Sequence, residues 1–249
     1  MRHSIDTGIL LGKILVDDDF HDTSDKFFSD FHHGELELDH QVLVDMMSLV
    51  HREANEILLR FLKMCPVSKL ANADALTAKE MIRISLGKIK REGRMKHAGI
   101  KDEVREILYR SVDERRVVEA VKNLHMNLPA HMHAYISGCL GPEALLNMKG
   151  AANSEADVET KKSIEQDLAL HKGLFGHRDD HDRRILAGLL LECSKNQPIK
   201  FYTYDKPFFD GYVKLHSIGL SPSLEPARIL HFVYVNPYNV MDRQEFPSP

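Results

Sequence analysis

The sequence predicts an α/β fold, a small parallel sheet flanked by helices and joined to an all-helical insertion. Three observations predict it. Strand-like segments cluster near the two ends, at residues 3–6 and about 35–38, then at 199–204 and 229–235. The chain from Val67 to about Leu170 reads as almost wholly helical. Strand and helix alternate at each end, and parallel strands need a crossover that is usually a helix. The expected division is therefore an α/β domain of residues 1–66 and 173–249, with a helical insertion over 67–172.

Each element has its own signal. HSID at 3–6 reads as a short strand, and a helix follows from Thr7, where Ile9, Leu10 and Ile14 fall near helical spacing. A second helix is expected over Ser24–Phe31 after the turn-like DDDFHD, and charge alternates with leucine over Glu35–Leu38 as in a strand. Asp39 can cap a helix running from Gln41 to about Met64, which Pro66 ends. Further helices are expected over 77–91, 101–110, 113–126, 142–148 and 155–170, with GAANSEAD at 150–157 as an exposed connection. After the polar loop HRDDHD, RRILAGLLLEC at 183–193 reads as a buried helix. Ile199–Tyr204 is β-rich, Tyr212–Ile218 and Ile229–Val235 are further strand candidates, and Asn236-Pro237 stops the last.

Composition narrows the function classes. Hydrophobic residues make up 43% and charged residues 28%, as in ordinary globular chains. The 33 basic and 37 acidic residues give a net charge of −4, so any nucleic-acid contact must come from a local patch. Cys65, Cys139 and Cys193 are too scattered for a zinc knuckle and suggest reduced thiols, hence a cytoplasmic setting. The first residues read as neither signal peptide nor membrane span. There is no GxxxxGK[ST] phosphate loop and no GxSxG elbow.

Ligands of open parallel sheets bind beyond the carboxyl ends of the strands. Asp6 closes HSID, Asp205 follows IKFYTY, Asp182 begins the helix before that strand, and Asp45 lies in the helix after ELEL. Four carboxylates at one sheet edge repel one another unless cations bind, and an all-oxygen donor set suits Mg2+ or Mn2+. Such ions can activate a water for phosphodiester hydrolysis.

At these residues the sequence resembles the PIN-domain nucleases. The resemblance lies in Ile5-Asp6-Thr7 at a strand end, in LELDHQVLVDMM with Asp45 as second acid, in Asp182-Arg183-Arg184-Ile185-Leu186-Ala187, and in Thr203-Tyr204-Asp205 with Phe208 after it. VYVNP at 233–237 matches the family's closing strand. The resemblance covers roughly residues 1–62 and 175–240 and departs from the family at Gly8, Tyr204 and Asp45. It implies a three-layer fold and a Mg2+- or Mn2+-dependent endoribonuclease. Asp6, Asp45, Asp182 and Asp205 would hold the metals, with Asp180 and Asp179 as competitors for the third acid. Thr7, Thr203, Arg183, Arg184 and Lys206 would contact the substrate. It also implies an RNA partner and a homodimer, and leaves the insertion open to a protein partner.

Each acid has a plainer reading. Asp6 and Asp182 could be helix caps, Asp205 a turn residue and Asp45 a solvated helix residue. Residues 79–101 hold eight basic residues against two glutamates, +6 in all. Lys88, Lys90, Arg91, Arg94 and Lys96 could track a phosphate backbone or form a solvated face. The pairs His21-Asp22 and His181-Asp182, with His131, His133 and Asp242, would suit a helical metal phosphohydrolase, which leaves the strands unexplained. A catalytically weak RNA- or protein-binding module is the other reading of the same fold.

Overall fold

The computed structural model describes the chain except residues 16–17, 32–35, 90–97, 125–126, 129, 131–132, 135–137, 139–152, 176–178 and 248–249, and the side chains of residues 98, 99 and 179. The helix expected at 142–148, His131 and Cys139 therefore lie outside the described residues, as do Lys90, Arg91, Arg94 and Lys96. By contacts the chain forms two compact units. One comprises Met1–Lys13, Phe20–Met46 and Ile136–Pro249, the other Ile14–Asp19 and Met47–Tyr135.

The first unit holds a five-stranded, mostly parallel sheet of order β2-β1-β3-β4-β5. Strand β1 (Arg2–Ile5) lies between β2 (Leu36–Glu37) and β3 (Ile199–Thr203), parallel to both, with His3 opposite Leu36 and Ile5 opposite Tyr202. Strand β4 (Leu230–Asn236) pairs parallel to β3, Ile199 opposite Leu230. The two chain ends thus build one sheet, as the alternation of strand and helix predicts. An antiparallel edge strand, β5 (Asn239–Phe246), follows through a short turn with a bulge at Val235/Asn236. Its NVMDRQEF carries too many polar residues to stand out by hydropathy, as befits an edge strand.

Helices α1 (Thr7–Ile14) and α2 (His21–Ser29) follow β1. The sequence places α2 at Ser24, three residues too late. Ser24 is a fully buried interior residue of the helix, and its amide donates to Phe20 O at 2.8 Å. Helix α3 (His40–Met64) follows β2 as expected. Asp39 caps it, accepting a hydrogen bond from the Gln41 amide at 2.8 Å.

Helix α8 (Glu155–Leu170) packs on α9 (Asp179–Ser194) and belongs to the sheet unit, whereas the sequence reading places it in the insertion. Ser154 caps α8, accepting from the Asp157 amide at 3.1 Å. In α9 every residue from Ile185 to Cys193 with a side chain is buried, the signature of a helix covered on all sides. The helix starts at Asp179, so Asp182 is its fourth residue rather than its cap.

One element is of the wrong type. Of Tyr212–Ile218, expected as a strand, all but the C-cap Ile218 lies in helix α10 (Lys206–Ser217). Asp205 caps this helix, accepting from the Phe208 amide at 3.0 Å, and Pro207 suits its first turn. Phe208, Tyr212 and Leu215 are fully buried at helical spacing. A period-two reading of YVKLHSI starts too late to register Phe208. A 3-10 helix (Pro222–Ile229) leads into β4. The Tyr212 hydroxyl lies 2.8 Å from Ala227 O and 2.7 Å from Leu230 O, fixing this connection. The core here is aromatic: the Phe232 ring lies 4.9 Å from Phe208, 5.0 Å from Phe201 and 4.5 Å from Tyr212, the last stacked.

The second unit is helical among its described residues. It holds the rest of α3, then α4 (Val67–Ala71), α5 (Ala75–Lys88), α6 (Ala98–Asp113) and α7 (Val117–Lys122). Val50, Ala54, Ile57 and Phe61 form the buried stripe of α3, and Ile82, Leu86, Ile100, Val104 and Leu108 are buried on α5 and α6. No helix among the described residues is long and apolar enough to cross a membrane.

Candidate functional site

Strands β1, β3 and β4 run parallel, so Asp6, Tyr204-Asp205 and the turn after Asn236 all emerge at the carboxyl end of the sheet. Asp6 and Asp205 are neighbours there. The Asp6 amide donates to Tyr202 O at 2.9 Å, extending the β1–β3 ladder by one residue. One Asp6 oxygen accepts from the Thr7 amide at 2.6 Å and the other from the Thr203 hydroxyl at 2.8 Å. Thr203 is fully buried, and its Oγ1 also accepts from the Asp205 amide at 2.9 Å. A hydroxyl has one proton. Thr203 gives that proton to Asp6 and so meets Asp205 as an acceptor, locking the two acidic strand ends in register.

Both acids also serve the helices that follow. The Asp6 carbonyl accepts the first bond of α1 from Leu10, at 3.1 Å. Its carboxylate binds Thr7 N and Thr203 Oγ1. Asp205, by contrast, spends Oδ1 on the cap of α10.

Asp45 lies on α3 and Asp182 on α9. Asp45 Oδ1 accepts from Gln41 at 3.0 Å and from His181 Nδ1 at 3.2 Å. Its Oδ2 is buried with no hydrogen-bond partner among the described residues. His181 links the start of α9 to α3 while its side chain stays 56% exposed. The neighbouring Asp182 is 5% exposed. Asp180 is different: its side chain is 77% exposed and pairs with Arg183 one turn on. Of the acids with described side chains at the start of α9, Asp182 is thus the inward one.

The other expected substrate contacts scatter. Thr7 faces α3, its hydroxyl 3.5 Å from Val42 O. Arg183 is engaged by Asp180, and Arg184 is exposed. Lys206 pairs with Asp210 and lies over the rings of Phe209 and Tyr234, at 4.9 and 5.5 Å. Lys88 is exposed in the helical unit. Of the residues read for a helical phosphohydrolase, His21 donates toward Gly12 O at 2.8 Å and Asp242 accepts from Asn236 at 2.8 Å, two local structural duties.

The acids thus stand as one linked pair, Asp6 with Asp205, and a second contact of Asp45 with His181. Among the described residues no three His, Cys, Asp or Glu side chains are grouped closely enough to hold a metal ion. The carboxylate oxygens of Asp6 and Asp205 are donors of the kind a hard cation takes, but the described residues do not gather a metal-holding group around them.

Three features of this unit escape the sequence. Asp39 is the cap its sequence position predicts, but it is also buried, and burial pushes its carboxyl up to about 7. Its Oδ2 has no hydrogen-bond partner among the described residues. Gly188 of α9 makes room for it, since a Cβ there would lie 2.9 Å from that oxygen. The second is the His181–Asp45 contact, and the third is an aromatic cluster formed by Phe20, Tyr204 and Tyr238. No spacing rule links residues so far apart. Comparison with protein-family models, with curated proteins and with solved structures returns no match.

Proposed function

We propose that this protein is a PIN-like, Mg2+- or Mn2+-dependent nuclease acting on RNA. The observation that supports the reading is the Asp6–Thr203–Asp205 relay at the carboxyl end of parallel strands. A divalent ion bound there would supply an activated water and offset charge on the leaving oxygen. The chain's own residues position the site. Thr203 holds Asp6 at a fixed rotamer and ties it to the backbone of Asp205. His181 and Gln41 orient Asp45 so that Oδ2 is the oxygen left over. Asp182, buried in the first turn of α9, would be the fourth carboxylate on this reading.

A second reading has a specific observation behind it. Asp205 is committed to a helix cap and the described residues gather no metal-holding group, which suits a PIN-like module that binds RNA without efficient cleavage. Thermal melting with Mn2+ separates the two. A nuclease centre gains stability as Mn2+ is titrated, and Asp6→Asn abolishes the gain. A melting temperature indifferent to Mn2+ in the wild type removes the metal-dependent reading.

A further inference from the structure

Three aromatic side chains gather at the same end of the sheet as the acid pair. The Phe20 ring lies 5.7 Å from Tyr204 and 5.8 Å from Tyr238, both edge to face. Tyr204 directly precedes Asp205, and Tyr238 lies in the turn that leaves β4. Neither is left to wander. The Tyr204 hydroxyl is 3.1 Å from Ser24 Oγ, and Gly8 lies beside its ring, where a Cβ would stand 4.0 Å from Cδ2. The Tyr238 amide donates to Asn236 Oδ1 at 3.0 Å, and Asn236 donates across the hairpin to Asp242 at 2.8 Å. Tyr238 is nevertheless 84% exposed. Tyr234, separated from this turn by Val235 and Asn236, has its hydroxyl pushed up by burial and by the negative charge of Asp242, Asp210 and Asp205, so the turn and the acids share one neighbourhood.

We infer that Phe20, Tyr204 and Tyr238 form a platform on which bases of a single-stranded nucleic acid stack beside Asp205. A tyrosine ring held by its backbone yet open on its outer side is preorganised to receive a flat partner. Bases are the partner that fits a site next to a phosphodiester-cleaving pair, since every base has a π face and stacking tolerates any sequence. The acids around Tyr234 repel phosphates, so the strand binds here with divalent cations present. This inference rests on the proposed nuclease for what happens at Asp6 and Asp205, but not for the binding of the strand. The plainer alternative is a small apolar cluster bracing the β4–β5 hairpin, which would govern stability and have no preference for bases.

The test is fluorescence anisotropy with labelled short single-stranded RNA, single-stranded DNA and an abasic strand of equal length, in Ca2+. The wild type binds the base-bearing strands about tenfold tighter than the abasic one. Tyr238→Ala loses that margin at an unchanged melting temperature, and Tyr238→Phe keeps it. Equal binding of RNA and DNA, or a preference for RNA through its 2′-hydroxyl, both agree with the platform. Equal binding of base-bearing and abasic strands overturns it, as does a margin that survives Tyr238→Ala. Mn2+-dependent cleavage without a base margin removes the platform and leaves the nuclease. A base margin without cleavage removes the nuclease and leaves the platform.

Discussion

The Thr203 hydroxyl donates to the Asp6 carboxylate at 2.8 Å, joining residues 197 positions apart in the chain. The bond crosses from β3 to the residue that closes β1, and it turns two unrelated strand ends into one acidic edge. Thr203 is fully buried, so its hydroxyl meets these two partners rather than solvent.

Thr203→Val keeps the shape of the side chain and removes both bonds. It leaves an Asp6 oxygen and the Asp205 amide without this partner, at an expected cost of about 1–3 kcal/mol. Thr203→Ser retains the hydroxyl and costs less. Urea unfolding of the two variants beside the wild type reads the difference; equal stability of Thr203→Val and wild type would contradict the relay.

Asp39 makes stability depend on pH in a stated direction. Burial raises its carboxyl to about 7, opposed in part by the Gln41 and Val42 amides and Lys161 and reinforced by Glu192. The unfolded chain ionises near 3.8 and the folded chain only near 7, so this group's contribution falls as pH rises between those values. The slope is at most about 1.4 kcal/mol per pH unit. Asp39→Asn keeps the oxygen that accepts from Gln41 and removes the titration. Its stability relative to the wild type is expected to climb from pH 4 to pH 7 and then level off, as followed by denaturant midpoints. A flat difference across that window contradicts the assignment.

Gly188 is the other half of that seat. A Cβ there would stand 2.9 and 3.1 Å from the two Asp39 oxygens, both flanked by buried structure. Gly188→Ala is expected to destabilise by about 1–3 kcal/mol even though alanine is the better helix former. In an Asp39→Ala background the cost shrinks, a coupling that a double-mutant cycle measures. A stabilised Gly188→Ala would show that α9 stands further from Asp39.

What the sequence makes legible follows from local chemistry. Strands β1, β3 and β4 show as β-rich runs with stops, Asp39 and Pro66 bracket α3, and Asp6 and Asp205 are found by asking what closes a strand. The errors have local causes too. In YVKLHSI the β-like residues hide a helix whose start is written six residues earlier, at Lys206, in Asp205-Lys206-Pro207-Phe208. β5 lacks a hydropathic signal because one of its edges is unpaired in the sheet. Asp182 reads as a cap because the helix periodicity of Ile185 and Leu186 is clear only beyond it. Thr203 lies in a motif noticed for its aspartate, but its bond to Asp6, like the seating of Asp39 on Gly188 and the contact of Asp45 with His181, belongs to tertiary packing. Such pairs are far apart in sequence and obey no spacing rule.

The central claim is that Asp6 and Asp205 form the anchor of a metal-dependent nuclease. Its most direct measurement is cleavage of mixed-sequence single-stranded RNA in Mn2+ and in EDTA, with Asp6→Asn and Asp205→Asn beside the wild type. The expected result is cleavage in Mn2+ alone, reduced at least about a hundredfold in both variants. Cleavage that persists in the variants, or an intact substrate with the wild type in Mn2+, would contradict it.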